Sequence, residues 1–321
     1  MKFSIIKLAP IDLSSGQEVA LPNVNPVSVY FDYNVNEIPR MKLTLSVVGE
    51  KLYKYKYYKC ILEFNDKSRT NEFDFFVEHI DENSSSNTVL TGLMCNYEQA
   101  TKYKSASLGN TISEAVGQLG FERKITSFDK SSVNFNYFQF NETANDALLK
   151  ILIGNSPYSY GFITDKSIGT RDFRDLNKLD KSTFIEYTPN STEVEIYVGN
   201  PYSVETDLSN NKVKFKSVVT NESPFNIYQA SINGESIIYD ETCPQELNAM
   251  YNRKFMGTLN KSFTVKRNNP IPSRPNIGDV VLVKEFKYFN TSNEGFPAVI
   301  TRHRIYESSE VVSYIYRLET V

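Results

Sequence analysis

The chain has 321 residues, with 35 basic against 38 acidic side chains and a net charge of −3. That balance argues against nucleic acid as a partner and against a polybasic membrane-surface protein, because both need an excess of cations to meet phosphates. With 40% hydrophobic residues, 21 Tyr, 21 Phe and no Trp, the chain can fill packed cores and favours half-buried strands over long helices.

The N-terminal stretch MKFSIIKLAP is interrupted by Lys7, too early for a signal-peptide apolar core. No apolar run reaches the roughly 18 residues of a membrane span, so no membrane anchor is expected. From Ser28 to Val48 the pattern has period two. Val27, Val29, Phe31, Tyr33 and Val35 alternate with polar neighbours, and so do Met41, Leu43, Leu45 and Val47. Such alternation sets one apolar face on a core, and the break around Glu37–Pro39 reads as a connection. The run KLYKYKYYK over Lys51–Lys59 predicts an exposed strand whose lysines guard an edge. Ile61–Phe64, Asn71–Ile80 and Val89–Met94 continue the strand pattern. Residues 1–104 therefore read as a first β domain, small and either closed or sandwich-like.

The texture then changes. Thr111 and Glu114 fit a capping box, after which Ile112, Ala115, Val116 and Leu119 fall on one helical face and Gly120 marks a stop. A second helix is predicted over Thr143–Ile153, capped by Thr143 and Asp146. Ala144, Ala147, Leu148, Ile151 and Leu152 form its buried stripe, and Gly154 ends it. Tyr158–Thr164 and the Phe173 region read as a hairpin turning at Asp165–Gly169. Residues 105–194 are thus a small helix-plus-hairpin insert.

Strands resume at Val194–Val198 and Val213–Val219, with a hairpin over Ile227–Ile232 and Ile237–Tyr239. A third helix is predicted from Thr242 as N-cap, with Pro244 in its first turn and Gln245 three residues on. Ser262–Arg267, Asp279–Glu285, Ala298–Arg304 and Val311–Leu318 complete a second β domain over 195–321. The fold class is mainly β (α+β).

Chemistry is sparse in this sequence. His79 and His303, the two histidines of the chain, each lie in an alternating strand and read as strand residues rather than a shared metal or proton site. No Cys or His pair has metal-ligand spacing, and no Walker A, G-x-G-x-x-G or G-x-S-x-G motif occurs. Cys60, Cys95 and Cys243 are odd in number and far apart, as reduced thiols would be. Pro275–Asp279 reads as a turn in which proline presets φ and glycine supplies a permissive position. The sharpest charged motif is Arg171, Asp172, Arg174 and Asp175 around Phe173. It is an interface candidate through an ion-pair ladder, with a solvated hairpin strand as the plainer reading and a carboxylate pair for hydrolysis as a third. No catalytic residue, cofactor or metal site is expected.

The order of segments resembles a known family. TISEAVGQLG, FNETANDALLKIL followed by YSYGFITDKSIGTRDF, CPQELNAMYNRKFMGTLNKSFTV followed by PNIGDVVLV, and the terminal VVSYIYRLETV are similar to successive parts of baseplate hub proteins from contractile phage tails. The N-terminal region of type VI secretion spike proteins is similar in the same way. The resemblance implies two tail-tube-like β-barrels flanking a small helical domain. It further implies a homotrimer at the end of a tail tube and a role as symmetry adaptor between six-fold tube and three-fold central spike. Expected neighbours are the spike protein, the tail tube protein, wedge or other baseplate proteins and the tape measure protein. The expected location is the virion baseplate, after assembly in the host cytoplasm. The competing expectation is a glycan- or receptor-binding β protein of a virion surface, with Lys51–Lys59 as its contact strand. A hydrolase would need a further catalytic domain, and no unassigned stretch is long enough for one.

Overall fold

The computed structural model describes residues 3–21, 24–47, 52–64, 70–82, 87–121, 124–125, 135–154, 159–164, 167–172, 176, 184–190, 194–197, 202–207, 212–217, 237–238, 261–286 and 295–320. The chain opens with six strands: β1 (Phe3–Pro10), β2 (Val24–Asn34), β3 (Arg40–Val47), β4 (Tyr57–Phe64), β5 (Thr70–Glu82) and β6 (Asn87–Leu93). The middle segment holds α1 (Tyr97–Thr101), β7 (Lys104–Asn110), α2 (Ile112–Gln118), β8 (Lys124–Ile125), β9 (Phe135–Glu142), α3 (Ala144–Gly154), β10 (Ser159–Ile163) and β11 (Ser167–Asp172). The last part adds β12 (Ile185–Tyr187), β13 (Val194–Tyr197), β14 (Tyr202–Asp207), β15 (Lys212–Ser217) and β16 (Ile237–Ile238). It ends with β17 (Lys261–Arg267), β18 (Val280–Val283), β19 (Phe296–Ser308) and β20 (Val312–Thr320).

The alternating stretches behave as period two requires. In β2, Val29, Phe31 and Tyr33 are buried, and in β3 so are Met41, Leu43 and Leu45. Val27 is exposed, because a register shift between Pro26 and Ser28 rotates it away from the face its neighbours share. A bulge of this kind adds one residue to one strand and flips the side chains before it.

The two terminal segments do not form separate sheets. Their strands follow one path, β1-β4-β5-β6-β3-β2-β19-β20-β17-β13, with β18 beside β19 and β12 beside β18. Every pairing along the path is antiparallel; β12 and β18 run parallel. One continuous core lies under this sheet. Leu8, Phe31, Leu43, Tyr58 and Phe75 from the N-terminal strands share it with Phe263, Val265, Val283, Ile305, Tyr316 and Leu318. The protein is mainly β, with a large antiparallel sheet and a few short helices.

The Lys–Tyr run departs from expectation. Its first part is a 3-10 turn over Leu52–Lys54, and Leu52 is buried. The strand that follows is flanked on both sides, by β1 and by β5, and so is not an edge. Leu52 and the buried Tyr58, whose hydroxyl donates to the Leu52 carbonyl at 3.1 Å, pin the segment to the core.

In the insert, α2 is capped as expected: Thr111 and Glu114 satisfy each other's backbone amides. Thr143 and Asp146 do the same for α3, with the Asp146 amide donating to Thr143 Oγ1 at 3.1 Å. Ala144, Ala147, Leu148, Ile151 and Leu152 are all buried. They join Ala115 and Val116 of α2 and Leu119 at its C-terminal end in a second core, onto which Phe76 of β5 and Leu93 of β6 also pack. Helix α1, with Asn96 and Gln99 as its capping box, and the pair β7–β9 are elements the sequence reading did not anticipate. The hairpin β10–β11 stands where it was expected. The predicted third helix and the Ile227–Ile232 strand fall outside the described residues.

Candidate functional site

The feature of most consequence is the joint between the two terminal β segments, where β2 meets β19. Its register sets His303 opposite Tyr33, Arg304 opposite Asp32, Ile305 opposite Phe31 and Tyr306 opposite Tyr30. Alternation then gives the joint two unlike faces. The inner face is aromatic. Phe31 stacks with Tyr33 at 6.1 Å between centroids, Tyr33 lies 6.2 Å from the His303 ring, and His303 stacks on Tyr316 of β20 at 4.3 Å. Phe73 of β5 meets Phe31 edge-on at 6.0 Å. Such pairs stabilise by about 0.5–1.5 kcal/mol each beyond simple burial.

The outer face of the joint is charged. Arg302 grips Asp32 with both arms of its guanidinium, Nε to Oδ1 at 2.9 Å and Nη2 to Oδ2 at 2.5 Å. Arg304 Nε stands 3.4 Å from Asp32 Oδ2, and the Tyr30 hydroxyl donates to the same oxygen at 3.3 Å. Burial pushes the Asp32 carboxyl upward, but the Arg302 hydrogen bonds and the charges of Arg302 and Arg304 outweigh it and hold the group below the usual carboxylate range. The same carboxylate raises Arg302 above its ordinary value. A bidentate Arg–carboxylate pair fixes geometry as well as energy, so it pins the register of the two strands.

The insert docks where the segments join. Asn36, just past β2, adopts a left-handed backbone with φ 59°. Its amide donates to the Gly161 carbonyl at 2.7 Å, and its Oδ1 accepts from the Gly161 amide at 2.8 Å. Gly161 sits in β10 because no side chain fits there: a Cβ would stand 2.7 Å from Leu152 Cβ. A second key engages the C-terminal strands. Gly278, at φ +81°, lies under the Phe162 ring, and a Cβ would meet Phe162 Cδ1 at 2.4 Å. The Gly278 amide donates to Ile300 O at 2.9 Å, and Arg171 Nε donates to the Gly278 carbonyl at 3.0 Å.

Of the predicted interface residues, Arg171 therefore makes an internal contact, tying the insert hairpin to the turn at Pro275–Asp279. Asp172 ends β11 without a described side chain, and Arg174 and Asp175 lie outside the described residues. The histidines are not brought together. His79 is exposed on β5 beside Asp81 at 2.7 Å, whereas His303 is buried in the joint, with three strands between β5 and its own β19. Cys60 and Cys95 are buried; Cys95 Sγ accepts from Asn145 Nδ2 at 3.2 Å, and burial pushes the Cys60 thiol up. Among the described residues no group of three or more His, Cys, Asp or Glu side chains could hold a metal ion. Sequence reasoning missed Asn36 and Gly161. The available signal was a glycine inside the strand YSYGFI, which marks close approach of another element.

No protein-family model matches the chain, and no curated protein matches it by sequence. Solved structures do match. A tail protein from Neisseria meningitidis MC58 superposes with TM-score 0.55 at 9% identity, over 100% of this chain and 97% of that one. The 43 kDa tail protein of prophage MuSo2 from Shewanella oneidensis gives TM-score 0.59 at 9% identity, over 99% of this chain and 98% of that one. The E. coli c3393 protein, a type VI secretion component, gives TM-score 0.55 at 10% identity, over 100% of this chain and 77% of that one. The chain thus has, over its whole length, the fold of phage tail proteins and of a secretion component itself described as structurally similar to bacteriophage T4 tail proteins gp27 and gp5.

Proposed function

We propose that the chain is a structural hub of a phage-type tail, in which three copies form a ring joining a six-fold tail tube to a three-fold central spike. The observation that carries this reading is the likeness of fold, over nearly the whole chain, to phage tail proteins and to a type VI secretion component, and the β2–β19 joint holds the two terminal segments of each copy together. In this reading the terminal segments, residues 1–104 and 195–321, are two tail-tube-like β units joined through that shared sheet, and the insert 105–194 keys them together. A trimer then offers six units in a ring, and closed cyclic assembly is the common solution for homo-oligomers. The neighbours are the tube protein above, the spike below, and wedge and tape measure proteins around them, in the virion baseplate. The chain works by shape and contact, with no catalytic residue or cofactor.

Native mass spectrometry of the purified chain is expected to give three copies, and electron microscopy a ring with a lumen containing six β units. A protein that stays monomeric at assembly concentrations, or that releases peptidoglycan fragments on its own, overturns the reading.

A further inference from the structure

The β2–β19 ladder ends at a weak point. Its pairs run from Ser28 and Ser308 to Asn34 and Arg302, and there the pairing stops. At that place β19 is irregular, because its register against β20 shifts between Ile300 and Arg302. A bulge leaves a residue out of the ladder and disrupts pairing locally, and elements with few bonds beyond them open at low free energy. The next backbone bond, from the Val35 amide to the Thr301 carbonyl at 3.0 Å, lies on the irregularity itself.

The insert meets the ladder at this spot. Asn36, the residue after Val35, is bonded twice to Gly161 of β10. On the other side of Thr301, Ile300 exchanges bonds with the turn at Pro275–Asp279. The Gly278 amide donates to the Ile300 carbonyl at 2.9 Å, and the Ile300 amide donates to the Asp279 carbonyl at 3.0 Å. The insert holds the same turn, through Phe162 over Gly278 and Arg171 Nε on the Gly278 carbonyl. The contacts thus close a circuit. It runs from Gly161 to Asn36, across Val35 and Thr301 to Ile300, and through Gly278 back to Phe162. A small core of its own lies here: Leu176 is buried with Val280 and Val299, and Val35 and Phe184 pack on them.

The turn also reaches the inner face of the joint. Asn276 Oδ1 accepts from the Ile277 amide at 2.8 Å, which identifies it as the oxygen end of the side chain, and it lies 3.3 Å from His303 Nδ1. His303 therefore donates through Nδ1. The turn that the insert grips orients the ring stacked on Tyr316 and set beside Tyr33.

We infer that the insert hairpin β10–β11 is a latch on the joint. Docked, it holds shut the irregular end of the β2–β19 ladder, and whatever displaces the hairpin opens that end. Hairpin, turn and ladder end form one opening unit, since each is held by the other two. The latch is built within one chain and stands whether or not three copies form a ring.

Amide hydrogen exchange of the full chain, resolved to single residues, tests the latch. In the parent, the Val35, Asn36, Gly161, Gly278 and Ile300 amides are expected to open together, with protection factors agreeing within about threefold. A wider spread overturns the latch. Arg171→Met removes the donor to the Gly278 carbonyl and keeps the aliphatic reach of the side chain. It is expected to speed exchange at Val35 and Ile300 by at least about fivefold, the low end of couplings between sites. The strands β1 and β4, at the far end of the sheet path, are expected to stay within about twofold of the parent. A smaller change at Val35 overturns the latch whether or not Gly161 is released. An equal rise at β1 and β4 overturns it too, because it marks general unfolding. Should Arg171→Met not fold, the shared protection in the parent still decides.

Discussion

Asp32 shows how one residue couples local charge to the register of a long sheet. Its carboxyl is held below the ordinary range, where burial alone would raise it, by the Arg302 bond and the Arg302 and Arg304 charges. A group with a depressed folded pKa contributes stability above its unfolded value, about 3.9 for aspartate, and loses that contribution as pH falls through the folded pKa. The parent is therefore expected to be more stable than Asp32→Asn at pH 7, with the gap closing as the pH drops below about 4. Urea unfolding at a series of pH values measures it, and a gap that persists undiminished at pH 2 contradicts it. Gly278 and Gly161 act at the same scale by absence. A side chain at either position would collide with Phe162 or Leu152, so each glycine lets one element lie directly on another.

Among the elements, α3 is the one whose sequence explains it most completely. Its cap, its apolar stripe and its terminal glycine all agree with the packed structure. Leu148 and Ile151 are fully buried, so Leu148→Ala or Ile151→Ala should each cost about 2–5 kcal/mol, the range for a truncated buried aliphatic side chain. Chemical denaturation of each variant measures the loss, and melting identical to the parent would refute the assigned helix phase. By contrast, α1 is five residues long and β7 reads as KSASLGN, polar and glycine-containing. Such segments carry too few apolar repeats to declare a period, and they are ordered here by what packs on them. The lysine-rich stretch before β4 misled for a related reason. Alternating Lys and Tyr looks like an edge, but Leu52 and Tyr58 find a core that lies far off in sequence.

For the whole molecule, the shared core has a thermodynamic consequence. Phe31 and Phe263 belong to opposite terminal segments yet to one cluster of buried residues. Segments that share a core and a sheet should unfold together. Phe31→Leu and Phe263→Leu are each expected to lower the same single calorimetric transition. Two resolved endotherms, with each variant moving only one, would show that the segments are energetically separate.

The sequence by itself determined the local facts: which stretches alternate, where helices are capped, that the class is mainly β and that no metal-ligand spacing occurs. Those depend on neighbours a few residues apart, where the pattern of apolar and polar side chains is directly legible. It also carried the resemblance whose fold the solved tail structures share. Only the tertiary structure decided that β2 pairs with β19, that Arg171 reaches Gly278, and that Asn36 locks onto Gly161. Each of these joins residues more than a hundred positions apart. Strand partners are chosen by burial of matching faces and by geometry, and an alternating strand carries no mark of which other alternating strand it will adjoin.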